Sequence, residues 1–100
     1  MSYKIIYLPT VVAEREKIIA WYEERSYKAT NNFIAEFQET INKISLNPLL
    51  YRNTHKEYRE VKMTKYPYYI IYRVNETDKE VAILRVYHTA RSPLKKYSDL

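Results

Sequence analysis

The chain contains no cysteine and no glycine. Without cysteine there are no disulfide bonds and no thiolate metal sites. Without glycine there is no glycine-rich phosphate loop and no dinucleotide fingerprint, because both need glycine where the backbone approaches a phosphate. The two histidines, His55 and His88, lie far apart in the sequence, and no acidic cluster stands near them at ligand spacing. We therefore expect neither a metal site nor a cofactor.

Long hydrophobic runs are also absent. No apolar segment approaches the roughly 18 to 20 residues that a membrane-spanning helix needs. The N-terminal stretch MSYKIIYLPT does not resemble a signal peptide, because its apolar run is short and Pro9 interrupts it. Hydrophobic residues make up 46% and charged residues 29%, as is typical of soluble globular proteins. We expect a cytoplasmic protein with one domain over residues 1–100 and no membrane partner.

Acidic residues are scarce in the second half of the chain. The formal net charge is +5, and residues 1–51 hold six basic and six acidic residues. Residues 52–100 hold eleven basic and six acidic residues, and residues 85–97 hold four basic residues and no acidic one. A basic region confined to one part of a small domain favours an anionic partner, either nucleic acid or an acidic protein segment. The alternative is a solvated surface that only keeps the protein soluble.

The pattern of apolar residues predicts one strand, two helices and three further strands. Residues 48–56, between the second helix and the second strand, are predicted to be a loop with at most one helical turn. Helices joined by a short break form an antiparallel hairpin. The fold class is therefore α+β, with a helical hairpin on one face of a small, mainly antiparallel four-stranded sheet and a short basic C-terminal tail. The predicted elements cover residues 3–8, 11–25, 28–46, 58–64, 68–74 and 80–88.

The last predicted strand has two different faces. One face is apolar up to its final residue, and we expect it to contact the helices; the other is partly polar and is a candidate working surface. The first set consists of Ala82, Leu84, Val86 and His88, and the second of Val81, Ile83, Arg85 and Tyr87.

The mixture of arginine, lysine, histidine and tyrosine on these strands suits RNA cleavage without a metal. Such a reaction needs one group to accept the 2′-hydroxyl proton, one to protonate the leaving oxygen, and cations to stabilise the phosphorane. His88 is the candidate acid or base, and Arg59 and Arg91 are candidate phosphate clamps. The alternatives are that His88 is a strand-end histidine bonded to backbone and that Arg91 belongs to a surface ion pair. No serine and histidine pair comes with an acid that would complete a hydrolase triad.

Two stretches carry a family resemblance. These are YREVKMTKYPYYIIYRV and VAILRVYHTARSP, which follow a strand and a two-helix hairpin ending at NP. The most specific features are Arg59 at the start of a strand, PYYIIYRV in the next strand, and the pattern formed by His88, Arg91 and Pro93. Because these features occur in this order, the chain resembles the RelE/ParE superfamily of bacterial toxins. These proteins are the toxin halves of type II toxin–antitoxin modules. The HTARSP ending resembles the ParE-like, plasmid-stabilisation branch.

The resemblance implies a βααβββ fold, a cytoplasmic bacterial protein, and an acidic or amphipathic antitoxin that wraps the toxin in a hetero-oligomer; a homodimer is a further possibility. RelE-like members cleave mRNA on the ribosome, whereas ParE-like members inhibit DNA gyrase and are not nucleases. We expect growth inhibition by ribosome-dependent mRNA cleavage, with gyrase inhibition as the alternative and an inactive antitoxin-binding relic as the second alternative. If the protein is an enzyme, it is a metal-independent endoribonuclease.

The candidate site residues follow from the chemistry, from the basic tail and from the resemblance, which suggests Tyr97 as a C-terminal tyrosine and Lys62 as a basic strand residue. The candidate catalytic residues are His88, Arg91, Arg59 and Tyr97. The candidate substrate-binding residues are Lys62, Lys65, Tyr87, Arg85, Lys95 and Lys96.

Overall fold

The computed structural model describes residues 2–92, 95–97 and 100. Within these residues the chain forms two helices and five strands, and none of the helices is long and apolar enough to cross a membrane. The elements are β1 (Lys4–Tyr7), α1 (Pro9–Glu23), α2 (Tyr27–Leu46), β2 (Asn53–His55), β3 (Tyr58–Lys62), β4 (Tyr68–Asn75) and β5 (Glu80–His88).

The ends of the helices follow from local chemistry. Pro9 lies in the first turn of α1, where its missing N–H leaves no bond unmade. Ser26 caps α2, because its side-chain oxygen accepts a hydrogen bond from the Ala29 N–H at 3.1 Å. Asn47 and Pro48 follow the last residue of α2, since the residue before a proline avoids helical geometry. The three residues between the helices make them neighbours that pack on each other, as the sequence predicts.

The strand order in the sheet is β1-β5-β4-β3-β2. β1 runs parallel to β5, and the other neighbouring pairs are antiparallel. The α+β class, the helical hairpin and the mainly antiparallel sheet are thereby confirmed. The described residues form five strands, whereas four were predicted. The additional strand is β2, which pairs with β3 and lies within residues 48–56, the segment predicted to be a loop. A three-residue polar strand is too short to show an alternating pattern.

In two turns of this glycine-free chain a lysine adopts left-handed backbone geometry. Lys56, in the turn from β2 to β3, has φ 51°, and Lys79, in the turn from β4 to β5, has φ 55°. A residue with a Cβ atom in this region costs about 1–2 kcal/mol relative to the right-handed region. The sheet pairing on both sides of each turn therefore has to offset this local cost.

The sheet has a helix face and an outer face, and each carries its own buried cluster. The cluster on the helix face is the larger one and includes the apolar stripe of α2. Its buried members are Val11, Phe33, Phe37, Ile41, Ile44, Met63, Ile70, Tyr72, Val81, Ile83 and Val86. The cluster on the outer face consists of Tyr58, Ile71, Leu84 and Tyr87, with Leu8, Ala82 and Tyr97 packed against it.

A β-bulge interrupts the alternation of β5. Ile71 of β4 pairs with Arg85, but the next residue, Tyr72, pairs with Ile83, so Leu84 is an extra residue on β5. The bulge changes which face the preceding side chains occupy, because a strand keeps its two-residue period only while the pairing is regular.

The face prediction for the first half of β5 was therefore wrong. Val81 and Ile83 pack in the cluster under the helices, whereas Ala82 and Leu84 belong to the outer face. Beyond the bulge, Val86 lies on the helix face as predicted.

The edge of β5 is covered by a strand for only part of its length. The parallel pairing with β1 ends at Tyr7 and Ile83, so no strand pairs with this edge beyond that point among the described residues. Glu14 of α1 takes over there: its Oε1 accepts a hydrogen bond from the Val86 N–H at 2.9 Å, and its Oε2 accepts one from Arg85 Nε at 3.2 Å. A side-chain carboxylate thus satisfies a strand N–H that a neighbouring strand would otherwise use.

Candidate functional site

His88 ends β5 on the helix face, next to α1. Its ring packs edge-on against the Tyr68 ring, with 5.2 Å between centroids. Its Nδ1 accepts a hydrogen bond from the Ala90 N–H at 3.0 Å. Because Nδ1 is the acceptor, Nε2 is the ring nitrogen that can meet an external group. The backbone bond that was the alternative reading of His88 is therefore present.

A groove runs between α1 and the end of β5. Its first part has a volume of about 460 Å³ and is lined by Lys17, Trp21, Tyr68 and His88 among others. A second part of about 540 Å³ shares Lys17, Tyr68 and His88 and reaches Arg91. We call these five residues the α1–β5 groove. It combines cations with aromatic surface, and Trp21 is half exposed at its rim.

Arg91 stands at the end of this groove. Its N–H donates to the His88 carbonyl at 3.1 Å, which closes the turn after β5. Its guanidinium lies over the Tyr87 ring at 5.1 Å from the centroid. The side chain is exposed and faces solvent, so it can meet a partner. Pro93, which shares the HTARSP pattern with Arg91, lies outside the described residues.

Arg59 lies in β3 on the helix face, where it is half-buried. Its Nη1 donates to the Tyr51 carbonyl at 2.7 Å and to the Leu49 carbonyl at 3.3 Å. Next to it, the hydroxyl of the buried Tyr72 donates to the Pro48 carbonyl at 2.6 Å, and burial raises the pKa of Tyr72. These groups hold the loop after α2 against the sheet. In this arrangement, the guanidinium predicted to clamp phosphate binds backbone carbonyls.

Tyr97 lies across the outer face. Its hydroxyl donates to Glu60 Oε2 at 2.8 Å and shares a hydrogen bond with the Thr54 hydroxyl. Its ring is nearly parallel to those of His55 and Tyr58, at centroid distances of 4.7 and 5.8 Å. Burial, reinforced by the Glu60 carboxylate, raises the pKa of Tyr97 to about 12, although the bond with Thr54 acts in the opposite direction. The phenol therefore stays protonated at neutral pH.

Lys96 shares the same carboxylate. Its Nζ lies 2.6 Å from Glu60 Oε2, and the side chains of Lys96 and Glu60 are only 13% and 11% exposed. The ammonium group also lies 3.6 Å from the centroid of the Tyr69 ring. Glu60 is not among the site residues predicted from the sequence. The signal was available, since Glu60 alternates with Arg59 in β3, and the acid-free tail at 85–97 needed a counter-charge from elsewhere.

Arg85 and Tyr87 are supporting residues in this structure. Arg85 binds Glu14 and donates from Nη1 to the carbonyls of Lys95 at 3.1 Å and Lys96 at 3.4 Å. Tyr87 is 2% exposed, and its hydroxyl donates to the Ser92 carbonyl. Both residues fold the tail back onto the outer face.

The remaining candidate lysines are exposed at separate places. Lys62 ends β3, and its Nζ donates to the Met63 carbonyl at 3.3 Å. Lys65 follows in the loop to β4, where its N–H donates to Glu36 Oε1 at 3.1 Å. Lys95 lies in the C-terminal tail.

The structure brings His88 and Arg91 together but not the other two candidate catalytic residues. Arg59 pairs with Tyr72 of β4, whereas His88 pairs with Tyr68 from the opposite side of that strand. Four residues along a strand span roughly 13 Å. Tyr97 lies on the other face of the sheet. Within the described ranges no group of three or more histidine and carboxylate side chains is arranged to hold a metal ion.

Comparison with known protein families identifies the chain. The family model described as ParE toxin of type II toxin-antitoxin system, parDE, matches residues 5–93. The chain belongs to the ParE toxin family. The RelE/ParE resemblance of the sequence is thereby confirmed, and the protein is a type II toxin of this superfamily. No curated protein is significantly similar to this ParE-family toxin in sequence.

Solved structures share the fold. The chromosomal ParDE toxin–antitoxin system from P. aeruginosa includes a chain with a TM-score of 0.74 and 14% identity, over 87% of this toxin and 96% of that chain. The isolated E. coli RelE toxin has a TM-score of 0.64 and 12% identity, over 93% of this toxin and 90% of that chain. A chain of the RelBE2 toxin–antitoxin complex from Mycobacterium tuberculosis has a TM-score of 0.61 and 18% identity, over 88% of this toxin and 99% of that chain. At these identities the likeness concerns the fold alone.

Proposed function

We propose that this ParE-family toxin inhibits growth without catalysis, by binding DNA gyrase, and that a cognate antitoxin neutralises it. The sequence alone favoured ribosome-dependent mRNA cleavage. The arrangement of the side chains favours the alternative, because only two of the four residues expected to carry acid–base and phosphate chemistry, His88 and Arg91, lie together.

The observation that carries this proposal is the separation of Arg59, His88 and Tyr97. Metal-free RNA cleavage requires its base, its acid and its cations within hydrogen-bond reach of one phosphate. Arg59 binds two loop carbonyls, and Tyr97 binds Glu60 on the opposite face of the sheet. His88 remains beside Arg91, and one imidazole with one guanidinium does not supply all three roles.

The α1–β5 groove is the surface that suits a protein target best. Lys17, His88 and Arg91 supply donors and positive charge, and Trp21 and Tyr68 supply aromatic area. Aromatic residues and arginine are enriched at the energetic centres of protein interfaces. The acid at this groove, Glu14, is engaged by Arg85 and by the Val86 N–H, so the groove as a whole favours an acidic partner surface.

The antitoxin is proposed on two grounds. The similar structures from P. aeruginosa and M. tuberculosis are toxin–antitoxin systems, according to their descriptions. The net charge of +5 complements an acidic antitoxin segment. A partner of that kind would neutralise the toxin by covering its basic surface.

The test compares two activities of the purified toxin. One assay measures supercoiling of relaxed plasmid by gyrase, and the other measures protein synthesis together with the integrity of the mRNA in a cell-free system. We expect inhibition of supercoiling and intact mRNA. Charge reversals in the groove, Lys17→Glu and Arg91→Glu, should each raise the toxin concentration needed for half-inhibition about tenfold, because like charges then face the acidic partner. Lys28→Glu, an exposed reversal at the start of α2, is the matched control.

The opposite result would support mRNA cleavage as the function. If mRNA is cut and supercoiling is unaffected, the toxin is a ribonuclease, and His88→Ala should then abolish cutting. If groove and control reversals weaken gyrase inhibition equally, the effect reflects total charge and the groove is not the contact surface.

A further inference from the structure

Residues 95–97, in the described part of the C-terminal segment, lie across the outer face of the sheet. The chain turns after β5, where the Tyr87 hydroxyl donates to the Ser92 carbonyl. Arg85 then donates to the carbonyls of Lys95 and Lys96. We call residues 95–97 the C-terminal strap. The Arg85 contacts hold its backbone, and they come from the strand that the strap follows.

The side chains of the strap meet at one carboxylate. Glu60, in the middle of β3, accepts the hydrogen bond from the Tyr97 hydroxyl at 2.8 Å and lies 2.6 Å from Lys96 Nζ. Both contacts use the same oxygen, Oε2. The carboxylate and the ammonium group are almost fully covered, so water does little to screen the attraction between them.

The strap also covers aromatic surface. Lys96 lies over the Tyr69 ring, and the Tyr97 ring packs against Tyr58 and His55. If the strap lifted, the outer face would expose these rings, and the Lys96 side chain would leave Glu60 and meet solvent. The open outer face would therefore show more aromatic surface than the closed one.

We propose that Glu60 is the latch of this strap, so that the outer face of the toxin exists in a closed state and an open state. A buried ammonium group without a partner is strongly unfavourable. The strap can avoid this cost by moving away from the sheet, because water then hydrates the Lys96 ammonium group. Loss of the Glu60 charge should therefore lift the strap locally and leave the two-helix core intact. The inference does not depend on the proposed gyrase contact, which concerns the α1–β5 groove.

Trypsin offers a direct measure, because it cleaves after Lys95 and Lys96 only when the strap leaves the surface. The full chain is digested under native conditions, and the rates of cleavage at these two bonds are followed by mass spectrometry. Glu60→Gln keeps the shape of the side chain and removes its charge. We expect cleavage in the strap to become about tenfold faster, since local opening controls native-state proteolysis. Glu57→Gln, an exposed glutamate in the preceding turn, should leave the rate unchanged.

A charge exchange tests the ion pair itself. Lys96→Glu places two carboxylates together and should speed cleavage after Lys95. Adding Glu60→Lys to that variant restores an opposite pair with an identical sequence around the cleaved bond, and the rate should fall again. Cleavage after Lys17 in α1 reports global unfolding.

Three results would overturn the inference. The first is a wild-type cleavage rate in Glu60→Gln. The second is an equal acceleration after Lys17, because the change would then be loss of the whole fold. The third is a failure of the charge exchange to slow cleavage relative to Lys96→Glu alone.

Discussion

Replacing Arg59 separates a structural role from a catalytic one. In Arg59→Met the side chain keeps an unbranched stem about as long as the aliphatic part of arginine and loses its guanidinium. The carbonyls of Tyr51 and Leu49 then lose their charged donor. A hydrogen bond to a charged group contributes about 1.5–3 kcal/mol, and the longer of these two bonds, at 3.3 Å, contributes less. Water can reach the partly exposed loop and replace some of the loss. We therefore expect a decrease of about 2 kcal/mol in the free energy of unfolding.

The measurement is urea unfolding at neutral pH, supported by a thermal scan. For a chain of this size, about 2 kcal/mol corresponds to a decrease of roughly 8–16 °C in Tm. Arg73→Met is the matched control, because Arg73 lies in the adjacent strand, pairs with Tyr58 and is exposed to solvent. It should change the free energy of unfolding by less than about 0.5 kcal/mol.

The reasoning would be refuted by a stable but inactive variant. If Arg59→Met unfolds like the wild-type protein and no longer stops growth, the guanidinium contacts the target and the two carbonyls do not need it. A phosphate clamp would behave in this way. A destabilised variant that remains toxic under conditions where it is folded would support the loop-holding role.

Two further predictions concern other charged and titrating groups. Glu14→Gln weakens the contact with Arg85 and should lower the free energy of unfolding, measured in urea, by about 2 kcal/mol. Glu16→Gln, at an exposed position of the same helix, should have little effect. Equal effects of the two variants would contradict the role of Glu14 at the strand edge. Burial raises the pKa values of Tyr68 and Tyr97 to about 12, from 10.0 in the unfolded chain. The folded protein thus keeps protons that the unfolded chain releases, so stability should fall as the pH rises from about 10 to about 12. In the double variant Tyr68→Phe and Tyr97→Phe, stability should fall less steeply over this pH range. An unchanged slope of stability against pH would show that these two tyrosines do not cause the fall.

The helices and the central strands were predictable because each buries a regular pattern. The stripe of α2 that starts at Phe33 and Phe37 repeats at helical spacing, and these side chains pack under the sheet. The short β2 strand and the bulge at Leu84 were not predictable in the same way. Both depend on pairing with a neighbouring strand, and pairing is a property of two distant segments and not of either one alone.

The candidate site was predictable only where its residues are close in sequence. His88 is the last residue of β5 and Arg91 lies three positions later, and the turn that joins them keeps them together. Arg59 and Tyr97 were grouped with them by residue type, but sequence could not say which face of the sheet each one meets. Arg59 faces the helices because it alternates with Glu60, and Tyr97 reaches the outer face because Arg85 directs the tail there.

The location of the positive charge changes what the basic half of the chain implies. Two of its cations, Arg85 and Lys96, pair with Glu14 and Glu60, so part of the excess is neutralised inside the molecule. The acid-free stretch at 85–97 is therefore not a uniformly basic surface. Exposed charge beside aromatic surface remains at the α1–β5 groove, where Arg91 meets solvent. A partner that responds to charge should approach the toxin from that side. The outer face already carries the exposed Lys62 and Arg73, and it gains a further cation if Lys96 leaves Glu60.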